Sequence, residues 1–232
     1  MKYKDLRDFI GQLERQGELV RVAEPLSARL EMTALADQVL RAGGPSLLVT
    51  NPVGYKIPAL LNLFGTTRRV ALGMGAAGLA ELRQIGPVLA RLKEPEPPKS
   101  LKDAWQNTRP VFLQVMHMAP KERRSAPCQE VVIENPKDVN EHMVPIRHTT
   151  YEPELTVGSG IRCVTGEHFD GGSDLGYNRM NFRWGNVGTF QISPGSHMWQ
   201  VVSEAYRKNE TVPLTFCFGV PAACTLVAGG AF

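Results

Sequence analysis

The chain has 232 residues, of which 43% are hydrophobic and 21% charged, the balance of an ordinary globular protein long enough for one large domain or two small ones. Its net charge of +3 is spread out, and the densest basic cluster, Lys121, Arg123 and Arg124, is interrupted by Glu122, which argues against nucleic-acid binding. No run of about 18 apolar residues exists to span a membrane, the start MKYKDLRDFIGQLERQGEL lacks a secretory pattern, and Cys128, Cys163, Cys217 and Cys224 have no metal spacing, so a cytoplasmic protein with reduced, buried cysteines is expected.

Taken in order, residues 4–16 place Leu6, Phe9, Ile10 and Leu13 on one helical face, with Gly17 as a left-handed stop. A short strand is predicted over 18–22, a helix over 28–41 ended by Gly43-Gly44, a buried strand over 46–50, a turn at 51–54 and a strand over 59–64. Strand and helix alternate, which argues for a small α/β domain. Gly65-Thr66 with Arg68-Arg69 reads either as a helix start that meets an anion or as an exposed capped turn, and it lacks the phosphate-loop pattern GxxxxGK[ST]. A helix over 79–92 closes this part. The run Lys93-Glu94-Pro95-Glu96-Pro97-Pro98-Lys99 resists regular structure because its prolines remove donors and favour extended backbone. The expected division is therefore residues 1–93, a connecting segment 94–126 with one helical stretch near Ala104, and 127–232.

The second part reads mostly as strand. Val131-Val132-Ile133 is strand-like, Asn135-Pro136 is a turn, 155–165 alternates around Gly158 and Gly160, Gly171-Gly172 is a hairpin tip, and 177–190 continues the sheet. A helix over 196–208 and a buried strand over 212–218 follow. Strands with one helix suggest an antiparallel barrel or open sheet.

The stretch from Ser173 to Gln200 carries the chemistry. Asp174 precedes Arg179, a hairpin-like run holds Gly185 and Gly188, and Ser193-Pro194-Gly195 opens a helix whose first turn contains His197. Met198, Val201, Val202, Ala205 and Tyr206 give that helix one apolar face. Its first turn offers unpaired N–H groups and the positive dipole end, which favour an anion such as a phosphate. If the strand bearing Asp174 pairs back toward this turn, a carboxylate and an imidazole offer Mg or Mn two ligands. The plainer reading is a solvated Asp, a hydrogen-bonded His and a surface ion pair at Arg179. His142, His148 and His168 each read as structural or solvated. Trp184 and Trp199 read as packed, with stacking on a planar ligand the alternative.

Several separated motifs carry a resemblance. Asn62-Leu63-Phe64-Gly65-Thr66, Arg69-Val70-Ala71-Leu72-Gly73-Met74-Gly75, the Pro-rich run from Leu92 to Lys99, Ala126-Pro127-Cys128-Gln129, and the run from Pro213 to Ala223 resemble, in order, the N-terminal part of the UbiD family of reversible (de)carboxylases. The resemblance implies an α+β chain: a small N-terminal α/β domain, then part of a split β-barrel like that of flavin reductases. It also implies prenylated FMN, held through its phosphate by a divalent metal (Mn or Mg) and potassium. Asp174 and His197 match the family's metal ligands, and Arg179 its substrate-orienting arginine. Tyr177, Asn178 and Gln191 match the backbone lining the cofactor, and Ala228-Gly229-Gly230 matches the cofactor and potassium loop.

The implied reaction is non-oxidative decarboxylation of an aromatic or α,β-unsaturated carboxylic acid, with a flavin prenyltransferase supplying the cofactor and a homo-oligomer or complementary subunit completing the fold. The sequence departs from the family in one respect: the third metal-binding Glu and the acid–base glutamates fall beyond the turn that here meets Phe232. A fragment, a split subunit and a degenerate relative are all consistent with this, and the chain by itself is expected to be inactive. A non-catalytic flavin-binding or assembly subunit is the alternative from a second class, and a cofactor-free interaction protein that from a third.

Overall fold

The computed structural model describes residues 3–87, 90, 100, 102, 105, 124–152, 156–158, 160–165 and 173–229, with the backbone alone at 162–165, 173 and 174. The chain divides into two compact units, Met1–Gly75 with Asn135–Phe232, and Ala76–Glu134.

In the first unit, helix α1 (Leu6–Arg15) is capped by Asp5, whose carboxylate accepts the Asp8 N–H at 2.8 Å. It buries Phe9 and Leu13, and Gly17 ends it with φ 70. Strand β1 (Leu19–Val22) runs parallel to β2 (Ser46–Val49), which pairs antiparallel with β3 (Ala59–Leu61). Every residue of β2 is buried. Leu48 packs in a cluster with Phe9 and Leu13 of α1, while Leu47 and Val49 pack with Met32 of helix α2 (Glu31–Arg41). A strand covered on both faces reads as an unbroken apolar run.

Two boundaries differ from the sequence reading for local reasons. Helix α2 begins at Glu31 rather than near residue 28, because Leu26 bridges to Pro52, Arg29 bridges to Arg147, and Leu30 has φ 70. Strand β3 stops at Leu61 because Asn62 turns left-handed with φ 54.

Helix α3 (Thr67–Gly73) starts at Thr66, whose hydroxyl accepts the Arg69 N–H at 3.3 Å. The anion reading of this helix start fails on Arg69. Its side chain is 1% exposed, and its guanidinium donates to the carbonyls of Gly44 at 2.9 Å, Leu63 at 3.1 Å and Asn62 at 3.2 Å while meeting Glu18 at 3.2 Å. Those donors are committed to the fold.

The remaining strands form two antiparallel sheets. In one, β4 (Thr156–Val157), β7 (Met180–Trp184) and β8 (Val187–Phe190) lie in the order β4-β7-β8. In the other, β5 (Ile161–Thr165) lies between β6 (Ser173–Tyr177) and β9 (Thr215–Cys217). Helix α5 (His197–Lys208) is capped by Ser196, which accepts the Trp199 N–H at 3.2 Å, and ends at left-handed Asn209. A last helix, α6 (Ala222–Ala228), was not expected. It packs on α3 at Gly73, where an added Cβ would meet Leu226 at 3.2 Å and Ala222 at 3.5 Å.

The whole is a mixed α+β fold of small sheets, and among the described residues no closed barrel is seen. Val131, Val132 and Ile133, read as a strand, form none and are exposed; β-branched composition supplies no partner strand. In the second unit, the helix expected over 79–92 is α4 (Leu79–Arg83), followed by a helical turn at 85–87. The Gly171-Gly172 tip, most of the 94–126 segment and His168 lie outside the described residues. Among those described, no helix is long and apolar enough to cross a membrane.

Candidate functional site

The site is assembled around residues 144–152. Val144 and Ile146 pack against the α2 face of the first sheet. Arg147 donates its N–H to Ala28 O at 3.0 Å and accepts from Leu30 N–H at 3.1 Å, while Ile146 N–H donates to Thr156 O at 3.0 Å. This segment therefore ties the 28–30 stretch on one side to β4 on the other, and His148 follows it directly. Arg147 then closes the next loop by donating to the carbonyls of Thr149 at 3.2 Å and Thr150 at 2.8 Å.

That loop delivers Glu152, whose side chain is 5% exposed. Its Oε2 accepts the His148 backbone N–H at 2.7 Å and lies 3.0 Å from His148 Nδ1. Its Oε1 lies 3.1 Å from Arg179 Nη1 in an ion pair, but off the hydrogen-bonding direction, so this buried oxygen has no aligned donor among the described residues. Burial pushes the Glu152 carboxyl upward, yet the His148 N–H, the His148 ring and the Arg179 charge outweigh it and hold the group below its ordinary value.

Arg179 and His148 open onto a cavity of about 400 Å³. Its other walls are largely apolar: Ala36 of α2, Leu60 and Leu61 of β3, Val144, Ile146 and Val157, with Thr33 and Asn62 adding polar atoms. The His148 ring lies over Gly158, where an added Cβ would be 3.6 Å from Cε1. A largely apolar chamber lined also by an arginine and a histidine suits a small organic anion.

The structure brings several sequence-predicted residues together. Asn178 Nδ2 donates to Gln191 O at 2.6 Å, and Gln191 N–H donates to Arg179 O at 3.3 Å, so Asn178, Arg179 and Gln191 meet where β7 and β8 begin and end their pairing. Tyr177 closes β6, and its hydroxyl donates to Thr225 O of α6 at 2.9 Å; burial raises its pKa. An added Cβ on Gly229 would meet the Tyr177 ring at 3.5 Å. Ala228, expected in a loop, is the last residue of α6, with Gly229 as its cap, and Gly230 lies outside the described residues.

The other predicted residues are placed singly. Asp174 sits in β6 opposite Val164, with only its backbone described. His197 is the exposed first residue of α5, a helix whose first turn carries no acidic residue. Among the described residues no group of three or more His, Cys, Asp or Glu is arranged to hold a metal. Trp184 and Trp199, expected to pack, are exposed. Sequence reasoning passed over Glu152 and set His148 aside; the signal available was their spacing of four, which a loop has no reason to advertise.

Two family models match the chain. That of the 3-octaprenyl-4-hydroxybenzoate carboxy-lyase N-terminal domain covers residues 10–89, and that of the carboxy-lyase's Rift-related domain covers residues 120–231. The chain belongs to the UbiD family. Solved UbiD-class structures share its fold. The vanillic acid decarboxylase of Sedimentibacter hydroxybenzoicus in its closed form is 20% identical with a TM-score of 0.79, covering 99% of this chain and 45% of its own. The UbiD-class enzyme HmfF of Pelotomaculum thermopropionicum, in complex with FMN, is 20% identical with a TM-score of 0.71, covering 94% and 43%. An evolved dimeric form of HmfF in complex with prFMN is 20% identical with a TM-score of 0.70, covering 94% and 44%. The chain thus spans less than half the length of the UbiD structures it matches.

Proposed function

We propose that the chain forms the N-terminal and cofactor-binding portion, or a subunit, of a UbiD-class carboxy-lyase that decarboxylates an aromatic or α,β-unsaturated acid with prenylated FMN. The observation that carries this reading is Arg179 in the lining of a largely apolar cavity of about 400 Å³, in a chain whose family and fold are those of such enzymes. The guanidinium binds the substrate carboxylate through paired donors. The apolar walls seat the body of the acid and exclude water.

On this reading the residues named for the cofactor would serve its separate parts. The N-terminus of α5, with no acidic residue in its first turn, favours the flavin phosphate. Asp174 and His197 would hold Mn or Mg there, an oxygen and a nitrogen donor being suited to such ions. Ala228 and Gly229 would supply carbonyls for potassium, since a helix C-terminus leaves carbonyls unpaired at the negative end of the dipole, and Gly230 is kept with them on the resemblance alone. Tyr177, Asn178 and Gln191 would line the flavin with backbone. When bound, the prenylated flavin takes up the electron pair released as CO₂ leaves.

The reading keeps residues 127–232 as part of a split barrel, joined through 94–126 to the α/β residues 1–93, of which the stretch up to Gly75 belongs to one compact unit with Asn135–Phe232 rather than standing apart. A flavin prenyltransferase supplies the cofactor, and further copies or a complementary subunit complete the assembly. A cytoplasmic setting suits the unbridged thiols of Cys128 and Cys224, which are exposed rather than buried as the sequence suggested.

The test is to express the complete protein with a flavin prenyltransferase and Mn, record its absorbance spectrum and native mass, then measure CO₂ release and exchange over a panel of aromatic and α,β-unsaturated acids. Bound cofactor with turnover is expected. A loaded protein that neither releases nor exchanges CO₂ overturns the enzyme reading in favour of a flavin-binding subunit.

A further inference from the structure

Glu152 has a role no sequence feature announces. Its buried carboxylate is anchored through Oε2, which takes the His148 N–H at 2.7 Å. Its Oε1, buried and without an aligned donor, faces Arg179 Nη1 at 3.1 Å. Arg179 is the opposite kind of group, 61% exposed, and a long side chain in solvent loses rotamer freedom when it closes on a ligand. The Arg179 backbone is already fixed, since its carbonyl accepts from Gln191 at 3.3 Å. The ion pair sets the far end beside the buried carboxylate. Held by one nitrogen, the planar guanidinium keeps its other N–H groups for a ligand in the cavity that Arg179 lines with His148.

We infer that Glu152 is a positioning residue that orients Arg179 toward a carboxylate in this cavity. The inference rests on Arg179 being the carboxylate-holding group. Charge and orientation predict opposite signs for its removal, which makes it decidable. If Glu152 merely offsets the charge of Arg179, then Glu152→Gln tightens the binding of a second anion. If Glu152 orients the guanidinium, the same change weakens it.

The experiment is a titration of sodium benzoate into the full chain, followed by calorimetry or ligand-observed NMR, with wild type, Glu152→Gln, Glu152→Asp, Arg179→Ala and the Glu152→Gln/Arg179→Ala double variant. Glu152→Gln is expected to weaken benzoate about tenfold, the effect of one well-placed contact. Arg179→Ala is expected to abolish binding, and the double variant to be no worse than Arg179→Ala. Glu152→Asp keeps the charge but draws the carboxylate back by one methylene, so it is expected to weaken binding less and serves if the Gln variant fails to fold. A Glu152→Gln variant that binds as tightly as wild type or tighter, while Arg179→Ala loses binding, overturns the role of Glu152 and leaves the Arg179 site standing; wild-type affinity in Glu152→Asp does the same. A wild-type chain that does not bind benzoate overturns both.

Discussion

The hydroxyl of Tyr3 accepts the backbone N–H of Ala223 at 2.8 Å, across 220 positions of sequence. The same hydroxyl donates to the carbonyl of Gly73 at the end of α3, so one oxygen joins the approach to α1, the end of α3 and the start of α6. Tyr3→Phe removes both bonds and leaves a partly buried donor and acceptor unanswered, which is expected to cost about 1–3 kcal/mol of stability. Urea unfolding checks it. Burial raises the Tyr3 pKa, so its contribution is present below the ordinary tyrosine range and fades as pH rises through the folded value. The wild-type advantage over Tyr3→Phe should therefore shrink in strong alkali.

Arg69 tests whether a buried arginine is structural. Its partners are Glu18, 17% exposed, and three backbone carbonyls. Arg69→Met keeps much of the volume but leaves those three carbonyls without their donor and Glu18 with Arg68 alone, 3.1 Å away, and a loss of about 3–5 kcal/mol is expected. Arg69→Lys recovers only part of it, because an ammonium cannot reach the same fork of acceptors. Thermal unfolding of both variants decides the matter, and a stable Arg69→Met would return this helix start to the candidates for anion binding.

What the sequence made legible follows from how local each signal is. Phe9, Leu13 and Gly17 carry their own period and stop, and the structure has helix α1 with its end at Gly17. The apolar run of β2 was readable as buried because both its faces are covered. Helix α6 was missed because seven residues without a side-chain cap give too little pattern. Val131, Val132 and Ile133 misled because propensity was read without a partner strand. Asn178, Arg179 and Gln191 do converge, as an antiparallel hairpin brings its two ends together. Glu152 stayed invisible because its meeting with Arg179 depends on residues 144–147 docking between the 28–30 stretch and β4, a relation fixed only in three dimensions.

The hairpin that sets Arg179 has its own sensitive point. Trp184 pairs with Val187, leaving Gly185 and Asn186 as a two-residue loop, and Gly185 has φ 68. An added Cβ there would lie 2.3 Å from the backbone oxygen of Lys137. Conformation and contact both oppose a side chain, so Gly185→Ala is expected to destabilise by about 2 kcal/mol or more. Chemical unfolding measures it, and an Ala variant as stable as wild type would show that the turn is not held as described.

Glu152 gives the chain an acid sensitivity of defined sign. Its folded value lies below its ordinary one, with burial opposed by His148 and Arg179. A depressed carboxyl contributes stability that is complete above the unfolded value, about 4.3, and is lost as pH falls through the folded value. The difference in unfolding free energy between wild type and Glu152→Gln should shrink as pH falls below about pH 4. Urea midpoints collected across that range provide the measurement. A difference that does not change with pH would mean that the carboxylate's charge is not what the fold uses.

Under the proposed function, Arg179 and the pair Asp174 and His197 fail in different ways. Arg179→Ala removes the group proposed to hold the substrate carboxylate but leaves Asp174, His197 and the backbone bond from Gln191 to residue 179 in place. The loaded protein should keep its flavin spectrum and lose about 10²–10³-fold in kcat/KM, the scale of one lost charged contact at the reacting centre. Asp174→Ala and His197→Ala each remove a proposed ligand of the divalent ion, and chelation removes the ion itself. All three should release the flavin, read as loss of its absorbance after gel filtration, with activity falling in proportion to cofactor lost. An Arg179→Ala variant that sheds flavin, or a His197→Ala variant that retains it and turns over, would reverse these assignments. Retention and turnover therefore have to be measured on the same preparations, because a fall in activity alone does not separate a lost substrate contact from a lost cofactor.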